Sequence, residues 1–333
     1  MLVTIITLSY NSNNSLKAAI DSVLGQNYES IQYIISDDGT PEFDNRKVEK
    51  YISDNRRQNI KDYVVLHSDK NVGTIKNINR ALDYAKGDIV FNLSADDSFF
   101  DEMVVADWVN EFILTKAEVI TAKRAIYEKF GGNIVSVEPY GIWEEALKRC
   151  SSEELFEFIA PMNIIYGCCT ARTMDNIKKY GGYDEKYRYI EDYSFNLKYL
   201  RDGGKIHFFD RIVVKYVLSG ISAPSQVNNV YLKENYRIFK NEALPYVKDK
   251  KYAKQRYKKW KKTLILDTRT KWLQANCDSH KSYLRRAFAY FIFYMIWYPH
   301  LGIKNVIKKP KVLLKLFRKE KYENTKDYFS ADR

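Results

Sequence analysis

Hydrophobic positions along the first hundred residues switch between two spacings. Residues 2–10 are mostly β-branched or apolar and end at a polar turn, which predicts a strand. The next segment carries the apolar stripe of an amphipathic helix, at Leu16, Ala19, Ile20, Val23 and Leu24. A strand that leads directly into a helix is the unit from which parallel sheets are built.

The same unit recurs further along the chain. Strands are predicted up to Ser36, at 63–67 and at 88–95, with helical segments between them. A further strand is predicted at 119–126, followed by a hairpin turn at 131–133. The pattern therefore predicts an α/β fold with a mixed, mainly parallel sheet flanked by helices.

Three acidic pairs fall at the ends of these elements. Asp37-Asp38 and Asp96-Asp97 each close a predicted strand, and Glu191-Asp192 opens a helical run. Ligands of an open parallel sheet bind beyond the carboxyl ends of its strands. Carboxylates gathered there suit a phosphate ligand bridged by a divalent metal. We interpret this edge as a nucleotide site, and specifically as a site for a nucleotide-sugar.

Charge is distributed unevenly along the 333 residues. The chain has 54 basic and 42 acidic residues, of which residues 231–333 hold 27 and 9, a net charge of +18. The remaining residues hold 27 basic and 33 acidic side chains, a net charge of −6. Such asymmetry points to a polyanionic partner for the C-terminal region, either nucleic acid or an anionic membrane surface.

The longest apolar run, residues 287–298, is rich in aromatic side chains and is flanked by basic residues. It is shorter than the roughly 20 residues that a membrane-spanning helix needs. We expect it to lie in a membrane interface, and a buried helix of a C-terminal bundle is the alternative. No signal-peptide pattern opens the chain. The expected location is peripheral, at the cytoplasmic face of the cell membrane.

Six short motifs occur in register with the predicted elements. In chain order they are Thr7-Leu8-Ser9-Tyr10-Asn11, Ser36-Asp37-Asp38-Gly39-Thr40, Asn71-Val72-Gly73, Leu93-Ser94-Ala95-Asp96-Asp97, Gly181-Gly182-Tyr183-Asp184-Glu185 and Glu191-Asp192-Tyr193. The series resembles the family 2 glycosyltransferases of the GT-A fold, which build bacterial surface polysaccharides such as capsule and O-antigen. The resemblance covers about residues 1–225.

The resemblance implies a domain organisation. Residues 1–228 are expected to form a GT-A, Rossmann-like domain, with a nucleotide-binding half (1–100) and an acceptor-binding half (101–228). Beyond the resemblance, charge and aromatic content predict that residues 229–333 form a basic, aromatic, helical extension that associates with membranes. The expected acceptor is a glycan on a polyprenyl-diphosphate lipid, and no nucleic acid partner is expected.

The resemblance also implies roles for individual residues. It matches Asp96, with its neighbour Asp97, to the acids that bind Mn²⁺ or Mg²⁺, and Asp192, beside Glu191, to the general base of an inverting transfer. The expected donor is a UDP-sugar. Its nucleotide is expected to lie against Thr7, Leu8, Tyr10, Asp37, Asp38, Gly73, Lys76, Ser94, Ala95 and Asp96. Within this set, Asp38 with Asp37 matches the position that hydrogen-bonds uracil.

This sequence departs from the family pattern in three places. Ser94 stands where an aspartate is usual. The stretch Asn77-Ile78-Asn79 replaces the common Ala-Arg-Asn, and Lys76 is the suggested substitute for the missing cation. Residues 215–222 place no histidine or basic residue at an obvious position for the metal, which leaves the third metal ligand open.

Other interpretations of the same residues stay open from the sequence. Asp37-Asp38 is also a turn former, Asp96-Asp97 a possible cap for a helix near Phe99, and Asp192 a residue favoured by the helix dipole. The basic region with its interleaved aromatic residues is also compatible with a nucleic-acid-binding protein. A catalytically inactive membrane tether is the third possibility.

Overall fold

The computed structural model describes residues 1–127, 134–217 and 229–261. Within these ranges, strands and helices alternate as the sequence predicts. The strands are β1 (Val3–Ser9), β2 (Ile31–Asp37), β3 (Ile60–His67), β4 (Ile89–Ser94), β5 (Ser98–Phe99), β6 (Val119–Tyr127), β7 (Ile134–Glu138), β8 (Thr170–Thr173) and β9 (Ile206–Val217). The helices are α1 (Asn13–Leu24), α2 (Asn45–Asn55), α3 (Thr74–Leu82), α4 (Val104–Thr115), α5 (Ile142–Arg149), α6 (Ser152–Ile159), α7 (Met174–Lys179), α8 (Glu191–Arg201) and α9 (Asn229–Ile238). A 3-10 turn spans Gly167–Cys169 and a π-helical turn spans Phe239–Ala243.

The described strands form one mixed sheet in the order β3-β2-β1-β4-β8-β6-β9-β5, and β7 pairs with β6. Strands β1 to β4 are mutually parallel, as the sequence predicts. The short β8 runs antiparallel to both β4 and β6, while β6 and β9 are parallel. The prediction of a mixed, mainly parallel sheet is confirmed.

These segments form helices and strands because the folded protein buries their apolar side chains. All five apolar residues predicted for the first helix are buried in α1. They share a hydrophobic cluster with residues of strands β1 to β4 and with Trp108 of α4, which is fully buried. Strands β1 and β2 are buried along nearly their whole length, as expected for parallel strands covered on both faces.

Residues 229–261 pack on the face that carries α6 and α8. Ile238, Phe239 and Tyr257 belong to the same buried cluster as Phe156 of α6 and Leu197 of α8. They lie within one compact unit, Met1–Ile265. The domain boundary expected at residue 228 stays a prediction.

Three expectations fall wholly or partly outside the described residues. These are the hairpin turn at 131–133, the aromatic run at 287–298 and the stretch 218–222, which belongs to the segment inspected for a third metal ligand. In the described ranges, no helix combines the length and apolar character that crossing a bilayer requires.

Candidate functional site

The carboxyl ends of the parallel strands bring the predicted nucleotide residues to one edge. The register places Ser9 of β1 opposite Asp37 of β2 and Leu8 opposite Ser94 of β4. His67, at the end of β3, lies opposite Asp37. Motifs that are separated by up to 85 residues in the sequence therefore lie side by side.

Asp37 stabilises the turn that follows β2. Its buried carboxylate accepts hydrogen bonds from the backbone nitrogen of Thr40 at 2.8 Å and from Thr40 Oγ1 at 2.6 Å. His67 Nδ1 lies 2.8 Å from Asp37 Oδ1. The turn-forming interpretation of this residue is thus confirmed, and Asp37 supports the site from beneath.

Asp38 connects the end of β2 with the turn before α3. Its Oδ1 accepts a hydrogen bond from the backbone nitrogen of Val72 at 2.8 Å, and Oδ2 accepts one from Gly73 at 2.9 Å. Burial raises the pKa of Asp38, while these two hydrogen bonds act in the opposite direction. Each carboxylate oxygen has a second lone pair, which leaves capacity for one further donor such as an imide N–H.

Gly73 is needed for this turn on two grounds. Its φ of +95° lies in the region that residues with a Cβ rarely adopt. A Cβ at this position would also lie 2.4 Å from Cγ and 2.8 Å from the carbonyl oxygen of Arg188. Arg188 Nη2 in turn donates to the carbonyl and side-chain oxygens of Asn71 at 3.2 and 2.9 Å. Arg188 therefore fixes the turn that Asp38 binds.

A cation lies at this edge, at a position the sequence did not indicate. The Arg80 guanidinium donates to the carbonyl oxygen of Asp37 at 2.9 Å, to Ser36 Oγ at 3.0 Å and to Ser68 Oγ. Burial lowers the pKa of Arg80, and the carboxylates of Asp38 and Asp37 oppose that shift. Lys76 is exposed on α3. Arg80 was missed because a charged residue on a helix resembles an ordinary solvated side chain.

The three predicted site residues on and just after β1 differ in their exposure to solvent. Thr7 is fully buried, and its Oγ1 lies 3.0 Å from the hydroxyl of Tyr33. Leu8 is partly buried between two hydrophobic clusters. Tyr10 is 48% exposed, just beyond the strand. Of these three side chains, Tyr10 is therefore the one accessible to a ligand.

The β4 motif forms a tight turn at the same edge. Ala95 is buried, and its backbone nitrogen donates to the carbonyl oxygen of Leu8 at 2.9 Å. Ser94 Oγ donates to Oδ1 of the half-buried Asp96. Ser94, which replaces an aspartate of the family pattern, thus orients its neighbour.

Asp97 points into the protein. It is 3% exposed, its Oδ1 accepts from the backbone nitrogen of Val217 at 3.2 Å, and its Oδ2 has no hydrogen-bond partner in the described part of the chain. Burial raises its pKa well above the usual range, and Cys168 and Asp96 add to the shift. The alternative of a helix cap near Phe99 is wrong, because β5 occupies that position and α4 begins at Val104.

Glu191 and Asp192 form the first turn of α8, as predicted. Asp192 Oδ2 accepts from the backbone nitrogen of Gly167 at 2.9 Å, and Oδ1 accepts from Tyr193 at 2.6 Å. Burial raises the pKa of Asp192, and these hydrogen bonds counteract it. Burial, reinforced by Asp192, raises the pKa of Glu191 to about 8. Near pH 7 Glu191 is therefore mainly in its neutral form.

The 3-10 turn Gly167–Cys169 connects the β4 turn with α8. Cys168 lies near Asp97, while the backbone nitrogen of Gly167 donates to Asp192. Arg124 acts electrostatically on both of these carboxyl groups, and its guanidinium lies 3.5 Å from the ring centre of Tyr166. The structure thus brings the second and third acidic pairs to one place.

The acidic side chains in this part of the structure suit a metal ion only if a bound ligand supplies further donor atoms. Among the described residues, no group of three or more His, Cys, Asp or Glu side chains is arranged to hold a metal. The half-buried Asp96, at the end of β4, is an oxygen donor of the kind that Mg²⁺ and Mn²⁺ prefer, whereas the neighbouring Asp97 is enclosed. Mg²⁺ is commonly bound by one or two carboxylates together with substrate phosphates. The residues present fit that arrangement.

Comparison with known families gives one match that covers more than half of the chain. The model described as Glycosyl transferase family 2 matches residues 4–181. The matched segment contains the acidic pairs of β2 and β4 and ends before Asp192.

The sequence is also similar to proteins named only as uncharacterized glycosyltransferases. An uncharacterized glycosyltransferase of Rickettsia typhi is 25% identical over 217 residues, which are 64% of this chain and 63% of that protein. An uncharacterized glycosyltransferase of Haemophilus influenzae is 26% identical over 256 residues, 75% of each chain. The match thus spans less than two thirds of the Rickettsia typhi protein.

Solved structures share the fold at low identity. TarS residues 1–349 of S. aureus, in complex with UDP-GlcNAc, superpose with a TM-score of 0.56 at 18% identity, covering 89% of this chain and 81% of that one. The mannosyltransferase PcManGT of Pyrobaculum calidifontis, in complex with GDP-Man and Mn²⁺, gives a TM-score of 0.56 at 15% identity, covering 96% and 88%. These neighbours confirm the expected GT-A fold.

Proposed function

Because the chain belongs to glycosyl transferase family 2, we propose that it transfers a sugar from a UDP-sugar to an acceptor hydroxyl with inversion at the anomeric carbon. The observation that carries this proposal is the position of Asp192. Its partly buried carboxylate is held by two backbone N–H groups and is joined through Gly167–Cys169 to the acidic turn after β4. A donor site and a general base on one rigid frame are what a single displacement requires.

Nucleotide binding is assigned to the edge formed by β1, β2 and β4. Asp38 accepts the imide N–H of the base with the lone pairs that Val72 and Gly73 leave available. Tyr10, exposed at the end of β1, provides a surface for the base or ribose. Both related structures with bound donors hold a nucleoside diphosphate-sugar, namely UDP-GlcNAc and GDP-Man.

The diphosphate is assigned to the turn after β4. Mn²⁺ or Mg²⁺ held there by Asp96, with Asp97 beside it, would neutralise the charge that develops on the leaving diphosphate. PcManGT contains Mn²⁺ in its complex with GDP-Man, which supports the assignment. Arg80 adds positive charge behind the strand edge, where Lys76 had been expected to act.

Asp192 is assigned as the general base, with Glu191 beside it. The acceptor oxygen attacks the anomeric carbon, the bond from that carbon to the diphosphate oxygen breaks, and the acceptor proton passes to the Asp192 carboxylate. The raised pKa of Asp192 makes it a better proton acceptor than an ordinary aspartate. Since the pKa of Glu191 is about 8, Glu191 is mainly neutral at pH 7 and adds little negative charge beside Asp192.

The acceptor is assigned as a glycan on a polyprenyl-diphosphate lipid at the cytoplasmic face of the cell membrane, in the synthesis of a surface polysaccharide. Residues 231–333 carry a net charge of +18, which suits an anionic membrane surface. Within the described part of this region, Lys251, Lys254 and Lys258 are exposed on one helical stretch, while Ala253 and Tyr257 are buried. Charged residues thus face outward on a helix anchored to the domain.

Nucleotide-dependent melting tests this proposal. The melting temperature is measured with UDP, GDP, dTDP and CDP, each with Mn²⁺ and with EDTA. A ligand at 100 times its dissociation constant stabilises the folded state by about 2.7 kcal/mol. We expect a rise with UDP that disappears in EDTA. A rise with another nucleotide would reassign the donor, and no rise with any of them would contradict a nucleotide site.

A further inference from the structure

One carboxylate from α9 holds the backbone immediately before the proposed base. Glu234 Oε2 accepts a hydrogen bond from the backbone nitrogen of Arg188 at 2.9 Å. Its Oε1 accepts from Tyr189 at 2.6 Å and from Ile190 at 2.8 Å. Three consecutive N–H groups therefore converge on one side chain that lies more than 40 residues later in the sequence.

These contacts occur where α8 lacks a cap of its own. The first N–H groups of a helix have no partner within the helix and are usually satisfied by a polar side chain at the N-cap. The N-cap of α8 is Ile190, whose hydrocarbon side chain forms no such bond. Glu234 binds the N–H of the N-cap residue Ile190 and of the two residues before it, and its negative charge is favourable at the amino end of a helix.

The loop that Glu234 holds also contacts the turn before α3, which belongs to the proposed nucleotide site. The carbonyl oxygen of Arg188 accepts from the backbone nitrogen of Ile75 at 3.1 Å, and its guanidinium binds Asn71. On the other side of the loop, Asp192 follows Ile190 by two residues and binds Gly167. Glu234 thus lies behind the short segment that sets the distance between the nucleotide site and the base.

We propose that Glu234 is a positioning residue for the transfer reaction, which fixes the orientation of Asp192 by holding the backbone of residues 188–190. The inference rests on the proposed role of Asp192 as the base. It assigns to α9, in the region beyond the segment that resembles the family, a part in arranging the site.

A second acid on the same face offers a matched control. Glu242, in the π-helical turn Phe239–Ala243, accepts from the hydroxyl of Tyr187 at 2.9 Å and forms an ion pair with Lys186 at 2.8 Å. It therefore contacts the same loop through side chains only. A Glu242→Gln variant weakens the attachment of the loop without removing an acceptor for residues 188–190.

The test compares kcat and KM for UDP release from UDP-GlcNAc, or from the donor that the nucleotide panel selects, with water as the acceptor of the sugar, in five proteins. These are the wild type, Glu234→Ala, Glu234→Gln, Glu242→Gln and Asp192→Asn. A displacement of about 1 Å in a catalytic group can cost about 100-fold in rate. We expect Glu234→Ala to lower kcat by between about 10- and 100-fold with little change in donor KM.

Glu234→Gln decides the question if the alanine variant does not fold. Its single amide oxygen can still accept from Tyr189 and Ile190, while its NH₂ group cannot accept from Arg188. We expect an intermediate kcat for Glu234→Gln and a kcat close to wild type for Glu242→Gln.

Two results would overturn the positioning role. One is a kcat within about twofold of wild type in both Glu234 variants, and the other is an equal loss in Glu242→Gln. If the proposed function itself is wrong, the result is different: the wild type would then release no more UDP than Asp192→Asn.

Discussion

Asp192 Oδ2 and the backbone nitrogen of Gly167 are 2.9 Å apart, and this hydrogen bond joins the start of α8 to the turn beside Asp97. The approach is close because residue 167 has no side chain. A Cβ there would lie 2.6 Å from Glu191 Oε1 and 3.4 Å from Asp192 Cβ. The carboxylate of the proposed base is therefore held directly by backbone N–H groups.

Gly73→Ala should impair nucleotide binding. The added Cβ would collide with Arg188, and the positive φ adds strain of about 1–3 kcal/mol. Since the backbone nitrogen of Gly73 binds Asp38, we expect weaker UDP binding and a lower melting temperature. Calorimetric titration with UDP and thermal unfolding measure the two effects.

Gly181→Ala is the matched control for this prediction. Gly181 also has a positive φ, of +72°, but a Cβ there meets no atom within 4 Å. It should lose stability through backbone strain alone and keep its affinity for UDP. Equal losses of affinity in the two variants would show that the Arg188 contact has no special part in the site.

Glu191→Gln should stabilise the protein increasingly as the pH rises. The pKa of Glu191 is about 8 in the folded state, against an ordinary value of 4.5. Its favourable contribution is therefore complete below about pH 4.5 and is lost as the pH rises through 8. Glutamine cannot ionise, so the melting temperature of the variant should exceed that of the wild type by a margin that grows between these values.

The same substitution also distinguishes the role of Glu191 in the reaction from that of Asp192. We expect Glu191→Gln to retain UDP release at pH 7, because glutamine resembles the neutral form of Glu191. A melting-temperature difference that is constant from pH 5 to 8.5 would contradict the raised pKa.

The sequence predicted the sheet and the positions of the acidic pairs because both depend on local patterns. Alternating strands and helices specify parallel pairing, and parallel pairing places the residues that follow β2 and β4 at one edge. The start of α8 at Glu191 was predicted for the same reason.

The supporting contacts could not be predicted, since each joins distant parts of the chain. Arg80 acquires its role through the carbonyl oxygen of Asp37, and Glu234 through three N–H groups that only the folded chain brings near it. The inward orientation of Asp97 depends on its pairing with Val217, 120 residues away. No local period or motif encodes such pairs.

Asp96→Asn should reduce the dependence of UDP binding on metal. The amide lacks the charge that holds a divalent cation, so the extra stabilisation that Mn²⁺ gives in the presence of UDP should fall, while UDP binding in EDTA is unchanged. Melting temperatures in the four combinations of UDP and Mn²⁺ measure this.

Asp88→Asn serves as the control, because Asp88 precedes the opposite end of the same strand and binds the backbone nitrogen of Leu2. It should keep the full effect of Mn²⁺. An unchanged effect of Mn²⁺ in Asp96→Asn would remove Asp96 from the metal site.

The central claim is that Asp192 takes the proton in a transfer from a nucleotide-sugar, and UDP release tests it most directly. Release is measured with UDP-sugars and Mn²⁺ for the wild type, for Asp192→Asn and for Asp202→Asn, which makes the same change at the opposite end of α8. We expect release by the wild type and by Asp202→Asn, and near-complete loss in Asp192→Asn with UDP affinity retained. Release by Asp192→Asn at the wild-type rate would contradict the account.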